Sequence, residues 1–176
     1  MTEEKQKENI PEKHGLLKEG DKSPDVNFRL IGSNQHDKVS LKEIFQNNVA
    51  TVLFFFPKTS STECAKQVCE FNHAYQELNR DDIQFIGICG DSAEKLKSFR
   101  ERHNISYYFA SDSKPAGTIA SAFGVRQSSW FGLRQQERVT FVIGKDGVIK
   151  LSFNEQHNQI GHVSMATQCI RNIINS

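Results

Sequence analysis

The stretch Val52-Leu53-Phe54-Phe55-Phe56-Pro57-Lys58-Thr59-Ser60-Ser61-Thr62-Glu63-Cys64-Ala65-Lys66-Gln67-Val68-Cys69 changes character at Pro57. Before that proline, residues 50–56 form an apolar-rich run of strand length, unbroken from Val52 to Phe56, as expected for a strand buried on both faces. After it come six polar residues, Lys58 to Glu63, and a helical pattern runs over residues 61–80. Val68, Phe71, Tyr75 and Leu78 recur there at spacings of three or four, on one face. A strand that turns into a helix in this way sets Cys64 at a helix N-terminus, where free N–H groups and the helix dipole favour an anion. A cysteine held there as thiolate is in its reactive form. The second thiol, Cys69, suggests a cycle in which the first is oxidised and then rescued. The pattern predicts a thiol redox enzyme, with Cys64 near a surface because polar residues precede it.

Outward from this stretch the chain alternates. Residues 26–31 read as an early strand, and residues 40–45 as a short helical turn capped by Ser40. Residues 83–89 predict a second buried strand, residues 92–103 a helix and residues 114–123 another. Residues 139–143 and 148–153 flank Gly144-Lys145-Asp146-Gly147, a hairpin turn signal, and residues 161–174 close the chain as an amphipathic helix. This order predicts an α/β protein with a central mixed β-sheet flanked by helices on both faces. It is compatible with the thioredoxin fold, among several α/β arrangements. Residues 1–19, rich in Glu, Lys, Gln and Asn, read as a flexible charged tail ahead of one domain over residues 20–176.

Composition narrows the function. The 22 Lys+Arg and 21 Asp+Glu nearly cancel, so nothing calls for nucleic acid or an anionic membrane as partner. The longest apolar run falls far short of the ~20 residues that span a bilayer. The first residues, Met1-Thr2-Glu3-Glu4-Lys5, carry no apolar core of a secretory signal. Four unevenly spaced cysteines are too few for a disulfide scaffold, which makes a reducing compartment, most simply the cytoplasm, the expectation.

The spacing of the pair has a geometric consequence. Five residues apart on an intact helix, two Cα atoms lie about 8.5 Å apart and their side chains point about 140° away from each other. A disulfide needs Cα atoms within ~7 Å, so bridging Cys64 and Cys69 requires the helix to unwind locally. Cys89, within Ile86-Gly87-Ile88-Cys89, and Cys169, beside Ile170, read as core packing. A zinc site from Cys64, Cys69 and His73 would lack a close fourth ligand.

Pro57-x-x-x-Ser61-x-x-Cys64 resembles the Pro-x-x-x-Thr/Ser-x-x-Cys motif of the peroxiredoxins (the AhpC/TSA family). The stretch from Phe56 through Cys64 to Cys69-Glu70-Phe71 is similar to the PrxQ, or bacterioferritin comigratory protein, branch. Gly20-Asp21-Lys22-Ser23-Pro24-Asp25, Asp91-Ser92, Ser121-Ala122-Phe123-Gly124-Val125 and Arg138-Val139-Thr140-Phe141-Val142-Ile143 resemble further landmarks, covering residues 19–175. The resemblance implies the thioredoxin fold and a thiol peroxidase acting on hydrogen peroxide or small organic hydroperoxides. In it, Cys64 would attack the peroxide and become sulfenic acid, and Ser61 would offer a hydroxyl to the thiolate or the substrate. Pro57 would shape and shield the loop, and Arg138 would favour the thiolate and stabilise charge on the leaving oxygen. Cys69 would close a disulfide with Cys64, which thioredoxin or a similar dithiol protein would reduce. No metal or organic cofactor is implied, and an internal resolving thiol fits a monomer.

Three positions depart from the branch. Thr62-Glu63 replaces its usual Pro-Gly, which sets a carboxylate next to the nucleophile unless Glu63 turns away. Residues 60–63, Ser-Ser-Thr-Glu, also fit a capping box. Gln67 stands where Glu is common, so any ion pair with Arg138 becomes a hydrogen bond.

Overall fold

The computed structural model describes residues 15–130 and 133–176. In chain order, β1 (Asn27–Phe28) pairs antiparallel with β2 (Val39–Ser40), and α1 (Leu41–Gln46) starts under Ser40, whose hydroxyl accepts the Glu43 N–H. Then follow β3 (Ala50–Phe55), α2 (Thr62–Leu78), β4 (Ile83–Cys89), α3 (Ala93–Arg102) and β5 (Tyr108–Ser111). After α4 (Thr118–Phe123) come β6 (Gln127–Trp130), β7 (Leu133–Gln136), β8 (Val139–Gly144), β9 (Ile149–Phe153) and α5 (Gln159–Ile174).

The main sheet runs β5-β4-β3-β8-β9. β3, β4 and β5 are parallel, while β8 is antiparallel to both β3 and β9. This is the mixed sheet the sequence predicts, with β3 at its centre and all six of its residues buried. Alternation along β3 divides the core. Val52 and Phe54 join Phe71, Phe85, Phe99 and Tyr107 on the face covered by α2, α3 and α5. Leu53 and Phe55 join Phe45, Phe123 and Phe141 on the face covered by α1 and α4. Each buried aromatic side chain contributes roughly 1.5–3 kcal/mol, and offset stacking, as between Phe54 and Phe71 at 4.4 Å, adds to it. Gly87 is required where these rings close on β4, since a Cβ there would stand 2.7 Å from the Phe109 ring and 2.8 Å from Phe54. The β8–β9 hairpin turns at Gly147, whose φ of +78° suits glycine, and Asp146 Oδ1 accepts the Val148 N–H.

Three sequence expectations change. The strand expected over residues 26–31 is only two residues long and forms its own small sheet, while Ile31 bridges to Phe109. The helix expected from Lys114 starts at Thr118. Gly117 precedes it with φ +73°, and buried Asp112 takes the Ile119 and Ala120 N–H groups at 2.9 Å each. Residues 15–19, expected in the flexible tail, are docked: Leu16 and Leu17 pack on the core, and Leu17 N–H bonds the Phe123 carbonyl at 3.1 Å. Residues 1–14 lie outside the described residues. The β6–β7 hairpin was not expected at all.

Candidate active site

β3 ends at Phe55, Phe56 remains buried, and half-buried Pro57 opens the loop that leads to α2. Asp91, just before α3, ties that loop down by accepting the Thr59 N–H at 2.9 Å and the Thr59 hydroxyl at 2.6 Å. No local sequence pattern marks this anchor, which joins residues 32 positions apart. Ser61 is the N-cap of α2: its backbone is extended and its Oγ accepts the Cys64 N–H at 3.3 Å. The cap thus falls one residue after the Ser60 expected from the sequence, and with Cys64 at the third helical position the reciprocal bond of a capping box is not formed. Glu63 lies in the first turn and accepts the Ser61 hydroxyl at 2.9 Å. Its carboxyl is held below its ordinary range by hydrogen bonds from its own backbone and from Ser61, with a smaller contribution from the Arg138 charge.

Cys64 is fully buried, not near a surface as its polar neighbours suggested. The first turn of α2 points it inward, toward β8. There Arg138, only 4 % exposed, directs one terminal nitrogen at Cys64 Sγ, 3.4 Å away, and the other at Gln67 Oε1. Cys64 and Gln67 are three residues apart and share one face of α2, so the guanidinium fork meets both. The hydrogen bond expected in place of an ion pair at Gln67 is present. Its Nε2, however, is buried without a partner among the described residues. Read without the family resemblance, Arg138 is a surface cation; the fold buries it instead.

Gln156, which the sequence reading did not select, holds Arg138 from behind. Its Oε1 accepts the Arg138 backbone N–H at 2.8 Å and its Nε2 donates to the Arg138 carbonyl at 3.0 Å. The Gln156 carbonyl also accepts Arg138 Nε–H at 3.3 Å. One residue earlier, the Glu155 carbonyl contacts Nε2 of fully buried His162 at 2.5 Å. A carbonyl can only accept, so Nε2 carries the proton, and Nδ1 accepts the Thr140 hydroxyl at 2.8 Å. No motif marks Gln156 or His162; only the return of residues 155–162 beside β8 brings them together.

Burial, helped by the Arg138 charge, lowers the His162 pKa to about 4. The ring therefore stays neutral in the fold but takes a proton on unfolding at ~6.5. Between those values the unfolded chain binds the extra proton, so stability falls as pH drops through the window, by ~3 kcal/mol in full. About 2 kcal/mol should be gone at about pH 5, read as a lower urea midpoint than at neutral pH. His162→Gln should flatten that difference. Equal loss in both proteins would show that His162 is not its source.

Cys69 lies one turn and a half further along α2 and faces another neighbour, with its Sγ 3.8 Å from Nδ1 of His103 at the end of α3. Burial, and then Glu70, raises its pKa. Cys89 packs in the core as expected, and Cys169 packs against it half-buried. All four cysteines are free. The helix is continuous across Cys64 and Cys69.

The AhpC/TSA family model matches residues 20–152. The chloroplastic peroxiredoxin Q of Sedum lineare is 28% identical over 122 residues, 69% of this chain and 63% of that protein. The putative peroxiredoxin bcp of Coxiella burnetii is 28% identical over 133 residues, 74% of this chain and 83% of that one. The chain thus spans between about half and two thirds of the plant relatives' length. The crystal structure of peroxidoxin BcpB from Mycobacterium tuberculosis superposes with a TM-score of 0.77 at 26% identity, covering 89% of this chain and 98% of that one. The family match takes in Pro57, Ser61, Cys64 and Arg138, and the fold agrees with it throughout: the chain belongs to the AhpC/TSA family and is of its peroxiredoxin Q and bacterioferritin comigratory kind.

Proposed function

We propose that the protein is a thiol peroxidase that reduces hydrogen peroxide and small organic hydroperoxides through Cys64 and is recycled through Cys69. The observation that carries this is the buried guanidinium of Arg138, which has no carboxylate in contact among the described residues and has Cys64 Sγ at 3.4 Å. A buried cation needs an anion, and the Cys64 thiolate is the group placed to supply it. The same cation faces the oxygen on which charge develops as the O–O bond breaks.

The steps balance without a metal or organic cofactor. The Cys64 thiolate attacks the terminal peroxide oxygen, the O–O bond breaks, and the leaving oxygen takes a proton to depart as water or alcohol. Cys64 is then a sulfenic acid. Ser61 would have to release Glu63 before its hydroxyl could serve the thiolate or the peroxide. Cys69 condenses with the sulfenic acid and a second water leaves. A dithiol protein such as thioredoxin supplies two electrons to reopen the bridge. Because Cys64 faces β8 and Cys69 faces the end of α3, the start of α2 must unwind for the sulfurs to meet. The first turn, with few intrahelical bonds, is the part that opens most easily. An internal resolving thiol leaves no need for a second subunit, so we take the monomer as the working unit. We place it in the cytoplasm, although the names of the plant relatives place those proteins in chloroplasts.

A coupled assay tests this. With peroxide and a thioredoxin system, turnover should be continuous, and peptide mapping should find a Cys64–Cys69 bridge within one chain. Hydrogen exchange over residues 61–69 should speed up on oxidation. Cys69→Ser should stop after one oxidation and accumulate sulfenic or sulfinic acid at Cys64. Reduction of protein disulfides without peroxide would make the protein an oxidoreductase, and a single oxidation without cycling would make it a sensor. A bridge to Cys169, or between chains, would overturn the local mechanism.

A further inference from the structure

We infer that His103 is the proton acceptor for Cys69 in the step that closes the disulfide, an inference that rests on the reading of Cys69 as the resolving thiol. The sulfur nucleophile is the thiolate, yet burial and Glu70 both favour the protonated form of Cys69. A thiol so placed needs a base within reach, and His103 Nδ1 stands 3.8 Å from its Sγ. Packing holds the ring there. His103 closes α3 with its N–H on the Phe99 carbonyl at 3.1 Å, and its ring meets the Phe99 ring edge-on at 4.6 Å.

The other titratable groups around Cys69 do not compete for this role. Glu70, on the same helix, lies 3.9 Å from His73, and both side chains are exposed. Tyr107, beneath α2, is fully buried, commits its hydroxyl to the Val68 carbonyl at 2.7 Å, and is pushed well above the ordinary tyrosine range by burial. It is no base at neutral pH.

The step balances. While α2 is folded, neutral imidazole takes the Cys69 S–H proton. As the helix opens, the Cys69 thiolate attacks the Cys64 sulfenic sulfur, the S–O bond breaks, and the departing hydroxide takes the imidazolium proton and leaves as water. Cys69 is oxidised, the Cys64 sulfur is reduced, and His103 returns to its neutral form.

Single-turnover stopped flow separates the two steps, with a sulfenic-acid trap to follow the intermediate. His103→Ala should leave the peroxide-dependent phase unchanged and slow disulfide closure by about 10- to 100-fold, with longer-lived sulfenic acid. The pH dependence of closure in the wild type should be absent from the variant, which lacks the base. Added imidazole should restore part of the lost rate in His103→Ala, whereas His103→Gln should remain slow. Wild-type closure rates in both variants, or slow closure that keeps the wild-type pH profile and ignores imidazole, would overturn the assignment. A wild-type chain that forms sulfenic acid but no Cys64–Cys69 bridge would instead remove the reading beneath it, and the assignment with it.

Discussion

Cys64→Ser should bring peroxide consumption down to the buffer background, while Cys89→Ser and Cys169→Ser leave it nearly intact. The contrast rests on surroundings rather than on exposure, since Cys64 and Cys89 are both fully buried. Burial alone drives a thiol toward its protonated form. Cys89 shows this: burial first, and then Asp91, raise its pKa well above the ordinary value. Cys169 is raised in the same direction by burial and Glu19. Neither has a cation in hydrogen-bonding contact among the described residues. Cys64 alone faces a guanidinium, and the N-terminal turn of α2 adds its dipole. A serine in its place would hold a protonated hydroxyl that does not attack peroxide. The rate of peroxide loss with excess reductant reads this directly, and wild-type activity in Cys64→Ser would remove the nucleophile assignment.

What the sequence showed follows a simple division. Wherever function depends on elements adjacent in sequence, the pattern was legible. The apolar run before Pro57 announced β3, and the spacing of Val68, Phe71, Tyr75 and Leu78 announced α2, with all four packed on the core as expected. The Gly144–Gly147 turn announced the β8–β9 hairpin. Wherever function depends on segments brought together by the sheet, local pattern was silent. Arg138 and Cys64 are 74 residues apart, and only the resemblance joined them. Gln156, His162, His103 and Asp91 are ordinary polar residues whose roles come from a distant partner's position. The polar residues before Cys64 misled for the same reason: they describe the loop and cap, while the cysteine side chain turns to the opposite side. The β6–β7 hairpin went unread because Gln127 to Trp130 and Leu133 to Gln136 are short and largely polar, with neither the alternation nor the apolar run that marks a strand.

Arg138→Ala should slow the reaction of Cys64 with peroxide by ~10²-fold or more, the loss typical of removing one preorganised charge from a transition state. The side chain does more than supply charge. Its fork spans Cys64 Sγ and Gln67 Oε1, while Nε–H and the backbone bind Gln156. Arg138→Lys should therefore recover only part of the rate, because one ammonium cannot reproduce a planar fork aimed at two partners. Truncation also leaves the Gln67 carbonyl buried without its donor, which costs roughly 1–3 kcal/mol of stability. The unfolding midpoint has to be measured alongside, so that a rate lost to unfolding is not counted as chemistry. Gln156→Ala supplies the matching control, since it loosens the Arg138 backbone but leaves the guanidinium in place. Its peroxide rate should fall between wild type and Arg138→Ala. A folded Arg138→Ala protein with an undiminished peroxide rate would leave the buried guanidinium a purely structural part. The burial of Arg138 without a carboxylate would then need an anion other than the Cys64 thiolate.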